Sequence, residues 1–241
     1  DDLTRLRGYK WLLVLPLSLH HKPRGTLVVA GKGEIAAPER QALLKVLANQ
    51  IAVSLDNARM YQAVESLATT DGLTGLYNRR TFQQRIEEMR ERAHRQNRTL
   101  ALILCDIDHF KKINDTRGHL VGDEVLRQIA KLLGETVRKV DVAARYGGEE
   151  FAILLEATEE EGARLLAERI RQETEKLHMQ SEKGPFFCTL SLGVATFPGD
   201  GLTTLELIAR ADAALYAAKH KGRNRVVCYR EISDGTARPA A

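Results

Sequence analysis

The seven residues 145–151 constrain the fold more than any other part of the chain. Their sequence, Arg-Tyr-Gly-Gly-Glu-Glu-Phe, overlaps the start of one apolar run, 151–155, and follows another, 142–144. Two β-prone runs joined by paired glycines predict a β-hairpin, because glycine adopts the positive φ angles of tight turns without steric cost. Glu149 and Glu150 would then stand at an exposed tip. Adjacent carboxylates repel each other unless a cation lies between them, so the hairpin indicates a binding site.

A second acidic segment lies upstream. The run 100–105 is apolar throughout, as in a strand buried on both faces, and Asp106 and Asp108 follow it. A strand that delivers carboxylates beside an acidic hairpin predicts a site for a hard cation. Magnesium is the natural candidate, because it prefers oxygen ligands and retains waters and substrate phosphates. The simpler alternative for Asp106 is a solvated strand end.

Composition places few further limits on function. The 241 residues suffice for one large domain and part of another, and the net charge of +4 requires no nucleic acid as a partner. Cys105, Cys188 and Cys228 lie in separate apolar segments, which predicts free buried thiols and a reducing cytoplasm. The apolar run 11–19 is interrupted by Pro16 and is too short to cross a bilayer, so we expect no membrane segment.

Periodicity predicts the organisation of the chain. Two strands near the start precede a long helix with one apolar face, which would pack on a domain or on a second subunit. Farther on, strands alternate with four helices, the last of which begins with a capping box at Thr203 and Glu206. This pattern predicts an α/β sandwich, a mixed sheet flanked by helices. The expected divisions are an N-terminal segment 1–38, a linker helix 39–68, a main domain 69–231 and a disordered tail 232–241.

Six further motifs accompany the hairpin in a fixed order. They occupy 71–80, 106–115, 118–123, 191–195, 211–216 and 219–224. Together they resemble the GGDEF domain of diguanylate cyclases over about 67–229, with Gly-Gly-Glu-Glu-Phe in place of the commoner Gly-Gly-Asp-Glu-Phe. The resemblance implies the ferredoxin-like palm topology of nucleotidyl cyclases. The strand-helix pattern of 1–38 and the helix after it resemble the C-terminal third of a GAF sensor domain.

The resemblance implies a magnesium-dependent reaction that condenses two GTP molecules into cyclic di-GMP and releases two pyrophosphates. Asp106, the carbonyl of Ile107 and Glu149 would bind two Mg²⁺ ions per half-site, with Mn²⁺ as an alternative. Asp106 and Glu149 are the expected catalytic residues, and Glu149 would also help to deprotonate the 3′-hydroxyl group. Asp108 and Glu150 are expected to support these ligands. Two subunits, each holding one GTP, would form one active site, so catalysis needs a homodimer.

Asn114 and Asp123 match the guanine-reading pair of the family. A carboxylate accepts from the N1 and N2 hydrogens of guanine, and an amide both donates and accepts, so GTP would be selected over ATP. The alternative for Asp123 is a helix N-cap. Lys219 and Arg223 match contacts to the terminal phosphates, although basic residues also suit a helix C-terminus without a ligand.

Two further groups of residues are implied. Phe110 and Lys111 follow the acidic strand, where exposed backbone amides of a short turn would hold phosphate oxygens; these two residues complete the expected substrate site. Arg138 and Asp141 match the Arg-x-x-Asp inhibitory site for cyclic di-GMP, with Arg169 as its companion. The alternative for Arg138 and Asp141 is a local salt bridge.

Three rival functions remain open at this stage. The first is a non-catalytic module that binds GTP or cyclic di-GMP as a sensor, and the second is a cyclase that joins GTP with ATP. The third is a purely structural partner domain, which would leave the acidic cluster unexplained.

Overall fold

The N-terminal unit contains two strands and one long helix. The computed structural model describes residues 8–19, 22–34 and 38–236, and the chain divides into two units, Asp1–Ala68 and Thr69–Ala241. In the first unit, β1 (Trp11–Leu19) pairs antiparallel with β2 (Lys22–Gly31), and α1 (Pro38–Thr69) follows. Leu15 and Leu17 of β1 form a small core with Ala48 and Ala52 of α1.

The second unit is a five-stranded mixed sheet flanked by helices. Its elements are α2 (Arg79–Gln96), β3 (Leu100–Ile107), α3 (Phe110–Arg117), α4 (His119–Thr136), β4 (Val142–Gly147), β5 (Glu150–Glu156), α5 (Glu160–Lys176), β6 (Leu190–Phe197), α6 (Thr204–His220), β7 (Val226–Cys228) and α7 (Tyr229–Thr236). The strand order is β4-β5-β3-β6-β7, antiparallel except between β6 and β7. From β3 to β6 the order is β-α-α-β-β-α-β, which is a β-α-β-β-α-β arrangement with two helices in its first connection, so the predicted fold class is confirmed.

The central strand β3 organises the core. All eight of its residues are buried, as its apolar sequence predicts. Side chains on one face, such as Ile103, pack with α4 and α5, and those on the other face, such as Leu102, pack with α2 and α6. Because β3 is covered on both faces, its polar residue Asp106 can lie only at the end of the strand, beside the neighbouring hairpin.

Helix α6 lies unusually close to the sheet. A Cβ atom on Gly193 of β6 would lie 2.2 Å from the carbonyl oxygen of Ala211 and 2.2 Å from the nitrogen of Leu215, so only glycine fits there. The helix begins with the predicted capping box, in which Thr203 and Glu206 bond reciprocally to the backbone. This close packing fixes the last turn of α6 near the end of β3.

Two predictions about local structure were wrong. The segment 232–241 was expected to be disordered, but α7 continues to Thr236, and Ile232 packs against a small core that includes Ala214 and Val227. Residues 237–241 lie outside the described part of the chain. A short turn was expected at Phe110 and Lys111, but these residues begin the helix α3, in which Phe110 and Ile113, spaced three apart, are both buried. None of the described helices has the length and apolarity needed to cross a membrane.

Candidate active site

The turn of the β4–β5 hairpin is held by hydrogen bonds from Arg145. Gly148 has a φ of 36° and forms the turn with Glu149. The guanidinium of Arg145 donates to the carbonyl oxygen of Gly148 through Nε at 3.0 Å and Nη2 at 2.8 Å. Its Nη1 donates to both carboxylate oxygens of Asp71, at 3.2 Å each. Arg145 therefore ties the turn to the segment that begins the domain.

The carboxylate of Asp71 is well satisfied in this arrangement. Burial raises its pKa, but hydrogen bonds from Thr74 and Arg145 outweigh burial and hold the pKa below its ordinary value. The Thr74 amide and hydroxyl donate to Asp71 Oδ1 at 2.9 and 2.7 Å. Asp71 is therefore ionised in the folded protein, and its charge stabilises the arginine that holds the hairpin.

The acidic strand and the acidic hairpin meet, as the sequence predicts. Asp106 is paired with Glu150 across β3 and β5, and the Ile107 amide donates to the Glu149 carbonyl oxygen at 3.4 Å. The tip is less exposed than expected: Glu149 and Glu150 are half-buried, because the turn lies against the end of β3. The two carboxylate segments thus form one cluster at the polar end of the central strand.

Charges around Asp106 oppose each other. Burial is the largest influence and raises the pKa of Asp106; the contact with Lys219 lowers it, and the charges of Glu149 and Glu150 raise it further. The net shift is upward. Lys219 Nζ lies 2.7 Å from Asp106 Oδ2, so the end of α6 brings a cation to the acidic cluster. A further positive charge at this cluster would be stabilised by the carboxylates.

The oxygen atoms of the acidic cluster supply only part of the ligand shell that a hard cation needs. Among the described residues, no group of three or more His, Cys, Asp or Glu side chains is arranged to hold a metal ion. Asp106, Glu149 and the carbonyl of Ile107 offer oxygen atoms only, and magnesium normally completes its shell with waters and substrate phosphates. The residues therefore fit a magnesium ion that arrives with a phosphate ligand.

Asp108 makes its hydrogen bonds elsewhere. It is 5% exposed and accepts from Thr189 and Ser191 and from the backbone amide of Asn224. These contacts join the end of β3 to β6 and to the turn after α6.

The predicted guanine-reading residues lie on the α3 and α4 pair. The Oδ1 atom of Asn114 is buried and finds no hydrogen-bond partner in the described part of the chain. A Cβ atom on Gly122 would lie 1.9 Å from this oxygen, so glycine keeps the space beside it open. An unpaired buried acceptor is costly in free energy. The motif 118–123 contains Gly122, but sequence reasoning gave this glycine no role of its own, although a glycine inside an amphipathic helix is a recognisable signal.

Asp123 lies inside α4. The N-cap of α4 is Gly118, with a φ of 91°, and Asp123 follows the first turn of the helix. The alternative interpretation of Asp123 as an N-cap is therefore wrong.

The residues expected to bind phosphate surround the acidic cluster on two sides. Phe110 and Lys111 begin α3, so their amides belong to the first turn of a helix, where backbone N–H groups lack intrahelical partners. Lys219 lies in the last turn of α6, and Arg223 follows in the turn after it with a φ of 61°. Lys219 contacts Asp106 directly, so these two predicted site residues are adjacent.

The residues expected to bind product line a separate cavity. Arg138, Asp141 and Arg169 all contribute to a pocket of about 600 Å³ between α4, β5 and α5. Asp141 accepts from the amides of Arg138 at 3.0 Å and Glu156 at 3.1 Å, and Arg169 donates to the carbonyl oxygen of Thr136 at 3.0 Å. In the part of the chain that the structure describes, no ion pair joins the Arg138 and Asp141 side chains. Asp141 instead fixes the backbone that carries Arg138.

The fold and the site define a class of domain in which an acidic hairpin and a basic helix end meet at the polar end of a central strand. Residues 68–225 match the family model for the diguanylate cyclase GGDEF domain. The match covers more than half of the chain, and the protein belongs to the GGDEF family.

Named relatives agree with this assignment. Diguanylate cyclase DgcP of Pseudomonas aeruginosa is 45% identical over 161 residues, which are 66% of this chain and 24% of that protein. The GGDEF domain of DgcB from Caulobacter crescentus, in complex with c-di-GMP, is 39% identical with a TM-score of 0.64 and covers 68% of this chain and 96% of its own. The active GGEEF domain of a diguanylate cyclase from Vibrio cholerae is 40% identical with a TM-score of 0.61, and the match covers 64% of this chain and 98% of that domain's chain. The chain thus spans about a quarter of the length of DgcP.

Proposed function

We propose that the protein is a diguanylate cyclase that condenses two GTP molecules into cyclic di-GMP and releases two pyrophosphates. The observation that carries the proposal is the meeting of Asp106, Glu149 and Lys219 at the polar end of β3. Two carboxylates and a lysine can together receive a magnesium triphosphate, which a structural partner domain would not require. Family membership and the relatives described above support the same reaction.

Asp106, the carbonyl of Ile107 and Glu149 would hold two magnesium ions in each half-site, or manganese in their place. When bound, the ions supply positive charge that neutralises the triphosphate and stabilises the attacking and leaving oxygens. Lys219 and Arg223 bind the terminal phosphates, and the first-turn amides of α3 bind phosphate oxygens. Glu149 lies at the hairpin tip and accepts the proton of the 3′-hydroxyl group as it attacks.

The selection of GTP over ATP follows from Asn114 on α3 and Asp123 on α4. The Asn114 oxygen accepts from the base, which satisfies its unpaired hydrogen-bonding capacity. Asp123 accepts from the N1 and N2 hydrogens, which adenine does not present in that pattern. The cyclase that joins GTP with ATP is therefore the weaker alternative.

The complete active site is formed by two subunits. Each chain presents one hairpin and one guanine-reading pair, so it binds one GTP, and each 3′-hydroxyl attacks the α-phosphate held by the other subunit. Exposed apolar residues of α1, which include Leu43, Leu47, Ile51 and Leu55, support a linker helix that pairs with its copy. We further propose that the segment 1–38 is the end of a GAF-like sensor domain, followed by this helix and by the cyclase domain 69–231.

Product inhibition is assigned to the cavity beside Arg138. Arg138 and Arg169 offer planar donor groups suited to phosphates and guanine edges. The cavity lies apart from the acidic cluster, so cyclic di-GMP bound there inhibits without competing for the GTP site. The relative of known structure in complex with c-di-GMP shows that a similar domain binds this ligand.

The decisive experiment identifies the product formed from GTP and Mg²⁺. The wild-type protein is expected to form cyclic di-GMP, and Glu149→Gln is expected to abolish turnover while leaving thermal unfolding unchanged, since Glu149 fills no core space. Glu135→Gln, an exposed change on α4, is the matched control and should be fully active. Binding of GTP without turnover by the wild type would favour the sensor module. An active Glu149→Gln variant would refute the assigned role of Glu149.

A further inference from the structure

The turn after α6 is conformationally strained. Three consecutive residues have positive φ, namely Gly222 at 112°, Arg223 at 61° and Asn224 at 47°. Glycine adopts this conformation at little cost, and asparagine tolerates it, but for arginine it is unfavourable. Such strain persists only where surrounding contacts over-determine the backbone. The contacts that hold this turn therefore indicate a constraint on Arg223.

The first contact comes from the buried carboxylate of Asp108. Its Oδ2 accepts the backbone N–H of Asn224 at 3.0 Å and the hydroxyl of Thr189 at 2.6 Å. Its Oδ1 accepts the hydroxyl of Ser191 at 2.6 Å. With both oxygens engaged, the Asp108 side chain fixes the Asn224 backbone against the end of the sheet.

The second contact holds the side chain of the same residue. Asn224 Oδ1 accepts from Arg171 Nη1 at 2.8 Å, and Asn224 Nδ2 donates to Glu175 Oε1 at 2.9 Å. Arg171 is itself oriented by Glu168 and Glu175 on the same helix, at 2.7 and 2.9 Å. Asn224 is thus held through its backbone by Asp108, directly after β3, and through its side chain by α5.

We propose that Asp108 and Asn224 are positioning residues that hold Arg223 in its left-handed conformation, so that its guanidinium binds the terminal phosphates of GTP beside Lys219. The inference rests on the proposed function, in which Arg223 contacts those phosphates. A purely structural turn gains nothing from an arginine at a positive φ, because glycine or asparagine would relieve the strain. Asp108 therefore acts on nucleotide binding through the turn and not through the metal ions.

The test compares a triphosphate with a monophosphate ligand. Binding of α,β-methylene GTP, which cannot release pyrophosphate, and of GMP is measured for Asp108→Asn and for Asn224→Gly with Mg²⁺ present. Asn224→Gly keeps the positive φ accessible and removes only the side-chain contact with α5. Each variant should bind the triphosphate analogue about tenfold more weakly and GMP with unchanged affinity. Glu173→Gln, an exposed change on α5 that removes a partner of Lys176 and no contact of Arg171 or the turn, is the matched control and should bind both normally.

A double-mutant cycle separates positioning from general damage. If Asp108 acts through Arg223, Asp108→Asn should cause no further loss in an Arg223→Ala background. Additive losses, or equal losses for GMP and the triphosphate, would overturn the inference. If Asp108→Asn fails to fold, the Asn224→Gly variant tests the inference by itself. Wild-type affinity of Asn224→Gly for the triphosphate analogue would also overturn the inference. Failure of the wild-type protein to bind the analogue would instead refute the proposed function.

Discussion

Replacement of Arg138 by alanine should weaken product inhibition without harming the enzyme. Arg138 contributes its side chain to the cavity, but its contribution to the fold is the backbone N–H that donates to Asp141. Alanine retains this N–H group. We therefore expect the free energy of unfolding and the initial velocity to stay close to those of the wild type.

The size of the effect follows from the exposure of the guanidinium. A hydrogen bond to a charged group contributes about 1.5–3 kcal/mol, and the lower end applies here because Arg138 is exposed and solvent screens its charge. A loss of about 1.4 kcal/mol corresponds to a tenfold change in affinity. The concentration of cyclic di-GMP needed for half-inhibition should therefore rise roughly tenfold.

The assay is the initial rate of cyclic di-GMP formation over a range of added product. Arg164→Ala is the matched control, because Arg164 lies on α5 and pairs with Glu161 outside the cavity. Asp141→Ala is unsuitable, since both its carboxylate oxygens hold backbone amides. Equal inhibition of Arg138→Ala, Arg164→Ala and the wild type would refute the assignment and place inhibition at the active site.

Three further outcomes are expected. Asp123→Ala should reduce the selection of GTP over ATP by about 1–3 kcal/mol in a competition assay; unchanged selection would exclude base reading. Burial raises the pKa of Asp71, but hydrogen bonds from Thr74 and Arg145 lower it below its ordinary value. The Asp71 carboxylate therefore stabilises the folded protein at pH values above its unfolded pKa, and this stabilisation is lost as the pH falls through its folded pKa. Asp71→Asn should therefore flatten the acid limb of a plot of unfolding free energy against pH, and an unaltered limb would contradict this. Gly193→Ala should lower the unfolding free energy by about 3 kcal/mol in urea titrations, since its methyl group would overlap α6 backbone; an unchanged midpoint would show that α6 can move.

Local sequence rules determined several elements of this protein. The apolar run 100–105 became the buried central strand, the second of the paired glycines, Gly148, took the positive φ of the hairpin turn, and Thr203 with Glu206 formed a capping box. Each of these depends on residues within a few positions of one another, so periodicity and turn chemistry are sufficient. The motif order also predicted the family, which the comparison confirmed.

Tertiary structure decided the features that depend on distant segments. The contact of Lys219 with Asp106, the unpaired oxygen of Asn114 beside Gly122, and the hold of Asp108 on the turn after α6 have no local signature. The same reason explains the helix at the predicted disordered tail, where burial of Ile232 stabilises a short segment whose propensity alone is weak. Hydrophobic pattern and capping determine where elements begin and end, but only the packing of α6 and α5 around the sheet determines which polar groups meet.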